Sequence, residues 1–422
     1  MRGILIPTAT MTLLLATVTV PAVGHQEEHQ TLAILDAGMV DGHTLRVNVA
    51  TPVFGAQPDH PELVLDGWPG GVHIRGSLLL ARMPSRVPIP MDVDLSAGTV
   101  KVGVVKVGEF PPVPRFTENV RFPLQVTLRR GDRAETAHRT VTILLPTVIV
   151  PGYANELGRP DAAALAAFRR QGYEDSGNGP TLFWFGYSSH ELTLEQAAHA
   201  LADYVHRTVL TRAYAAKINV VGYSLGGLLA RWDVQFDVDG WGTLVNRLAL
   251  VGVPNEGSLV AYIYRDVPTF LPYGYLAHTP AAHAMMPTFP CWRDSAGDAW
   301  SRPPDADNPV LARLNQQPMP IGVRVEVFYS SGQQTVTGLS GDGARTFGTG
   351  DGLVPAASAE GLPIQGGSGV PALLTPNVVR VDLGSVGHIQ LMSAAVVDRV
   401  AAALLERIDS VAETPRQEPQ GQ

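Results

Sequence analysis

Ser224, Asp351 and His388 are of the types, and stand in the chain order, that a nucleophile, an orienting acid and a general base require. Ser224 lies in Gly222-Tyr-Ser-Leu-Gly226, within the stretch KINVVGYSLGGLLARW from Lys217 to Trp232, where a β-branched run meets an apolar segment at helical spacing. Gly-x-Ser-x-Gly at a strand-to-helix junction holds its serine on a strained turn with the hydroxyl exposed at the top of a sheet. Five letters alone are a weak signal, and the flanking strand and helix supply the context that gives them meaning. A serine hydroxyl is a poor nucleophile near neutral pH, so a base must take its proton and a carboxylate must hold that base.

His388 is the candidate base, because Gly384-Ser-Val-Gly-His places it between the last strand and the last helix, at the carboxyl end of a sheet. The other histidines weighed against it lie elsewhere: His199 and His206 on a helix, His278 and His283 in an insertion, His25 and His29 near the amino terminus. Asp351, in Gly350-Asp-Gly-Leu-Val-Pro, is the candidate acid, with Leu353, Val354 and Pro355 giving it an apolar setting. Asp342, also flanked by glycines, is its rival, and Asp382 within a strand is a weaker one. Asp-Gly pairs also serve as plain turns. An oxyanion needs two preorganised N–H donors. The Leu225 amide at the helix start is one, and the loop Val150-Pro-Gly-Tyr-Ala-Asn is expected to supply the other from Tyr153, with Ala154 as the alternative.

The elements that must position these groups occupy residues 147 to 410. Buried strands are expected at 147–150, 181–185, 218–221, 248–251, 323–329 and 378–383, with amphipathic helices between them. The helix at 193–210 carries apolar residues at i, i+3, i+4 and i+7 behind a Thr193/Gln196 capping box, and a last helix spans 393–408. Alternating strand and helix implies a parallel sheet covered on both faces. Functional groups then gather at the carboxyl ends of its strands. An insertion at about 259–316 is too long for a connection and rich in aromatics: Tyr262, Tyr264, Phe270, Tyr273, Tyr275, Phe289, Trp292 and Trp300. It reads as a cap forming one wall of an apolar pocket, with the alternative that the rings pack on one another.

Residues 26–146 alternate with period 2, as in Leu45/Val47/Val49, Met91/Val93/Leu95 and Leu124/Val126/Leu128, and so predict an antiparallel β-sandwich domain. Residues 1–24 have the layout of a secretory signal, a basic start, an apolar middle and small residues at the end, so the mature chain is expected to be secreted or periplasmic. The end at 413–422 reads as a disordered tail. A formal charge of -8, without a dense Lys/Arg run, excludes an electrostatic footprint for nucleic acid. The single cysteine, Cys291, forms no internal disulfide. The His25/His29 pair, in H-x-x-x-H spacing without further ligands, is no metal site. No cofactor is called for.

The stretches VIVPGYAN, GYSLGGLLAR, VGVPNEGS, GDGLVP and VGH together resemble the α/β-hydrolase lipases over residues 147–410. Pro151-Gly152 departs from the His-Gly of bacterial triacylglycerol lipases and looks more like the loop of the lecithin:cholesterol acyltransferase and related phospholipase branch. The resemblance implies Ser224, Asp351 and His388 as a triad, with Leu225 and Tyr153 as the oxyanion hole. Pro254-Asn-Glu-Gly-Ser258 matches a family segment and is expected to be a structural turn. The expected activity is ester hydrolysis on lipid or another apolar ester. Acyl transfer to an alcohol, or phospholipase action, is the alternative, and a non-catalytic surface-binding role comes third. The β-domain either binds a surface or polymer or is rigidly attached to the hydrolase.

Overall fold

The computed structural model describes residues 32–405 except 51–61, 68–73, 78–88, 103–104, 111, 131, 154–161, 176–179, 260, 262–278, 294–298, 302–307, 341–343, 366 and 368. The leader at 1–24, the His25/His29 pair, Asp342, Ala154 and the tail at 413–422 lie outside the described residues. Among the described residues no helix is long and apolar enough to cross a membrane.

Among the described residues the amino-terminal part is one antiparallel sheet of nine strands, not two sheets. The strands are β1 (Ala33–Met39), β2 (Thr44–Ala50), β3 (Glu62–Asp66), β4 (Ile74–Ser77), β5 (Ile89–Asp94), β6 (Thr99–Val102), β7 (Val105–Glu109), β8 (Val120–Arg130) and β9 (Arg133–Ile143). Their order is β1-β2-β5-β6-β7-β4-β3-β8-β9. The two ends of that order approach each other: the Arg139 guanidinium on β9 donates to the Ile34 carbonyl of β1 at 3.2 Å and also to the Leu35 carbonyl, and the Leu32 N–H donates to Glu135. The expected sandwich is therefore corrected to a single sheet rolled round its core. Leu45, Val47, Met91, Val93, Leu124 and Val126 all point inward into one apolar cluster. Alternation specifies which face is buried, and a rolled sheet satisfies it as well as a sandwich does.

The second half is a six-stranded parallel sheet of β10 (Thr147–Val150), β11 (Leu182–Trp184), β12 (Ile218–Tyr223), β13 (Val245–Val251), β16 (Arg324–Tyr329) and β19 (Val378–Asp382), in the order β11-β10-β12-β13-β16-β19. The expected strands coincide with these to within a few residues. Alternate residues face opposite ways: Val148, Val220, Leu248 and Val325 pack on one face, while Ile149, Val221, Ala249 and Phe328 pack on the other. The first face is covered by α2 (Leu194–Tyr204), α4 (Leu225–Gln235) and the helix Pro309–Gln316, the second by α1 (Ala162–Arg170) and the last helix Ala394–Leu405. Thr193 and Gln196 cap α2 reciprocally, at 3.2 Å and 3.0 Å. The helix expected over 193–210 passes instead into a π turn at Val205–Val209 and then the short α3 (Leu210–Arg212).

Two differences concern the segments flanking the site. Within 259–316, the helix Pro309–Gln316 belongs to the main core through Leu311 and Leu314, so the insertion ends before it. The glycine-rich stretch ahead of Asp351 is a hairpin of β17 (Gln333–Ser340) and β18 (Arg345–Gly350). It joins β14 (Trp292–Arg293) and β15 (Trp300–Ser301) of the insertion in a four-stranded sheet. Leu259, Met286, Phe289, Cys291, Val336 and Ile364 form its own small core. The five tyrosine and phenylalanine rings at 262–275 lie outside the described residues.

The two halves share a joint. The Asn119 side chain, 8% exposed, accepts from the Leu145 N–H at 2.8 Å and donates to the Leu404 carbonyl at 3.1 Å. Nearby, Phe116 bridges to Ala215, and the Tyr214 hydroxyl donates to the Val113 carbonyl at 2.6 Å.

Candidate active site

The strand order reverses between β10 and β12: the chain leaves β10 for β11 on one side, and β12 lies on the other. Loops diverge at such a switch point and open a crevice at the carboxyl ends of the strands. Ser224 follows β12 directly, and the loop Pro151-Gly152-Tyr153 follows β10. Ser224 has φ 50° and ψ −124°, far from the backbone that a non-glycine residue prefers. Such strain persists only where the surroundings over-determine it. The Ser224 N–H donates to the Val251 carbonyl at 2.9 Å, and its carbonyl accepts from Gly227 at 3.0 Å. A methyl group on Gly226 would lie 2.2 Å from the Val150 carbonyl oxygen, so only glycine admits the helix this close to β10.

Ser224 is 6% exposed, and its hydroxyl donates to His388 Nε2 at 3.0 Å. His388 Nδ1–H donates to Asp351 Oδ2 at 2.7 Å. A carboxylate accepts only, so this contact assigns the proton to Nδ1 and leaves Nε2 as the acceptor facing the serine. The other oxygen of Asp351 accepts from the Leu353 and Val354 N–H groups at 2.9 Å and 2.7 Å. The backbone repeats the connection, with the His388 N–H donating to the Asp351 carbonyl at 2.8 Å. The structure therefore brings Ser224, His388 and Asp351 into one hydrogen-bonded line. Asp382, the weaker rival, turns instead to the Ser331 hydroxyl at 2.5 Å and the Gly384 N–H at 2.8 Å.

The loop after β10 lies against the nucleophile: a methyl group on Gly152 would sit 2.9 Å from Ser224 Cβ. Tyr153 follows, its hydroxyl 2.8 Å from Thr279 Oγ1 and its ring beside His190, centroids 5.7 Å apart. Leu225 opens α4, where backbone N–H groups have no carbonyl one turn earlier to meet. Leu225 and the loop of Gly152 and Tyr153 therefore border the serine from two elements.

Several residues that shape the site carried only a faint signal in the sequence. Gly252, with φ +58°, lies under the acid–base pair: a methyl group there would be 2.3 Å from Leu391 Cδ1, 3.3 Å from Asp351 Oδ2 and 3.5 Å from His388 Nδ1. It precedes Pro254-Asn-Glu-Gly-Ser258 in the quoted VGVPNEGS, which hinted at a constrained turn. That turn is locked from below by Arg231, a fully buried guanidinium that donates to Asn255, Asn315 and Gln235 at 2.9, 3.0 and 2.9 Å. Ser258 donates to the Leu353 carbonyl, and Ser358 donates to Gly257 at 2.7 Å, tying the turn to the loop that carries Asp351. Among the described residues, no three His, Cys, Asp or Glu side chains gather as metal ligands.

No protein-family model and no curated protein sequence matches the chain. Solved structures do resemble it. They include the mature lipase BlEst2 of Bacillus licheniformis, at 13% identity and TM-score 0.42 over 62% of this chain and 91% of that one. The Pyrobaculum calidifontis esterase has 15% identity and TM-score 0.35 over 68% and 83%, and a metagenomic carboxyl esterase 11% and 0.35 over 62% and 74%. Likeness at this level does not carry an activity from those proteins to this one, and the chemistry rests on the site itself.

Proposed function

We propose that the protein is a serine carboxylic-ester hydrolase, of lipase or esterase type on an α/β-hydrolase fold, working through an acyl-enzyme. The observation that supports this most is the line Ser224 Oγ to His388 Nε2 to Asp351, at 3.0 Å and 2.7 Å, ending on a strained serine at the switch point. Ser224 attacks the ester carbonyl while His388 takes its proton. The oxyanion is met by the amides of Leu225 and Tyr153. His388 then returns the proton to the leaving alcohol, and water releases the acyl group by the same route. Asp351 holds the imidazole in the tautomer this needs and stabilises the imidazolium. The aromatic composition of 259–300 favours apolar acyl groups, and the leader at 1–24 favours export. The lecithin:cholesterol acyltransferase-like loop at Pro151-Gly152 keeps acyl transfer to an alcohol as the second reading.

A fluorophosphonate probe is expected to label the purified protein at Ser224 and to leave Ser224→Ala unlabelled. Turnover of p-nitrophenyl esters is expected to drop by about 10⁴–10⁶ in that variant. Equal labelling of the two proteins defeats the assignment. Turnover from acetate to palmitate, with triglyceride and phospholipid in parallel and an alcohol added, separates hydrolysis from transfer.

A further inference from the structure

The residue before the nucleophile is placed to control the base. Tyr223 ends β12 and is 8% exposed, and its hydroxyl donates to the backbone carbonyl of His388 at 2.6 Å. Its ring lies against the imidazole, centroids 5.3 Å apart and planes inclined by 31°. The same element that ends in the nucleophile therefore reaches across the site and holds the base from behind and from one face.

We infer that Tyr223 is a positioning residue for His388: its O–H fixes the height of the imidazole-bearing loop, and its ring limits tilting, so that Nε2 stays aimed at Ser224 while Nδ1 stays on Asp351. This rests on the hydrolase reading above. The loop of His388 is also held from the far side, by the Ser330 hydroxyl donating to Gly384 at 2.6 Å and accepting from the Val386 N–H at 3.1 Å, and His388 itself by its N–H on the Asp351 carbonyl at 2.8 Å. The Ser330 contacts act on residues before His388 and the Asp351 carbonyl takes its N–H, whereas Tyr223 takes its carbonyl and also covers one face of its ring. The bond also has one fixed sense, because a carbonyl accepts only and the hydroxyl must donate. Burial, and after it the nearby Asp351 carboxylate, push the Tyr223 hydroxyl well above its ordinary value, so it keeps its proton wherever the enzyme is folded. Small losses of alignment weigh heavily in catalysis, since a misplacement of about 1 Å costs up to about 100-fold.

The test is Tyr223→Phe, which keeps the ring and removes the hydroxyl, beside Tyr223→Leu, which removes both. Active sites are titrated with the fluorophosphonate, so that unfolded protein drops out of the rate. Per titrated serine, kcat is expected to fall about tenfold in Tyr223→Phe and further in Tyr223→Leu, with KM unchanged within about twofold. The acid limb of the pH–kcat profile is expected to move to lower pH, because an imidazolium held less well by Asp351 gives up its proton sooner. A purely structural role lowers the titre and leaves both readings where they were. Wild-type kcat per titrated site in Tyr223→Phe, with an unmoved acid limb, overturns the inference. Failure of the hydrolase reading shows separately, as labelling that survives Ser224→Ala.

Discussion

Asp351, in the loop at the carboxyl edge of the sheet, and Asp233, in the last turn of α4, are both hidden from water, 3% and 0% exposed. Their situations are nevertheless opposite. Asp351 meets two backbone N–H groups and an imidazole N–H, so each oxygen has a donor. Neither oxygen of Asp233 meets a donor among the described residues. Burial, with a smaller contribution from Asp239, pushes its carboxyl up to about 9. The difference lies in the backbone: inside a helix every N–H is already given to a carbonyl one turn back, whereas a turn leaves its N–H groups free to face a side chain. A buried carboxyl finds donors where the chain turns around it, and is left without them where the chain runs straight past.

The sharpest way to break this comparison is Asp351→Asn. It preserves shape and removes the acceptor that fixes the imidazole tautomer, so kcat on a p-nitrophenyl ester is expected to fall by about 10³–10⁴ with the fold intact. Activity near wild type would reduce Asp351 to a turn former. Gly252→Ala, which pushes a methyl group against Leu391 beneath the acid–base pair, is expected to lower kcat by about 10–100-fold, read from the same assay.

The helix side of the comparison is tested by stability. The folded state holds a proton on Asp233 that the unfolded state, near 3.8, releases, so folding loses stability as pH rises from about 4 to about 9 through this group. Asp233→Leu is expected to remove that slope and to raise stability at pH 7 by about 1–3 kcal/mol, measured by urea unfolding at pH 5 and pH 8. A slope unchanged in the variant would mean that the carboxyl is satisfied after all. The smallest effect belongs to Asp382→Asn: exposed contacts of this kind are worth about 0–1 kcal/mol, and kcat is expected to stay within about threefold.

The contrast also marks what the chain spelled out. Ser224, His388 and Asp351 were legible because each sits at a junction whose local grammar is written in adjacent residues: strand into glycine turn, strand end into helix, Asp-Gly into an apolar run. The Thr193 cap was legible for the same reason. The rolled sheet was not, since alternation tells a strand which face to bury and says nothing about which edges meet. The β17/β18 hairpin hid behind glycines and threonines with few apolar residues to set its period. Gly252 and Tyr223 matter through contacts about 100 residues or more away in sequence, which no local pattern encodes.

The joint at Asn119 has a consequence for how the molecule is assembled. One of its two partners, Leu145, directly precedes the parallel sheet, and the other, Leu404, lies in the last turn of the final described helix. A chain emerging from its amino terminus can form the rolled sheet early, yet the latch stays open until the helix Ala394–Leu405 has been made. The helix Ala394–Leu405 is therefore the bolt of the structure, and a chain cut short before Leu404 leaves the Asn119 amide without the carbonyl that closes it.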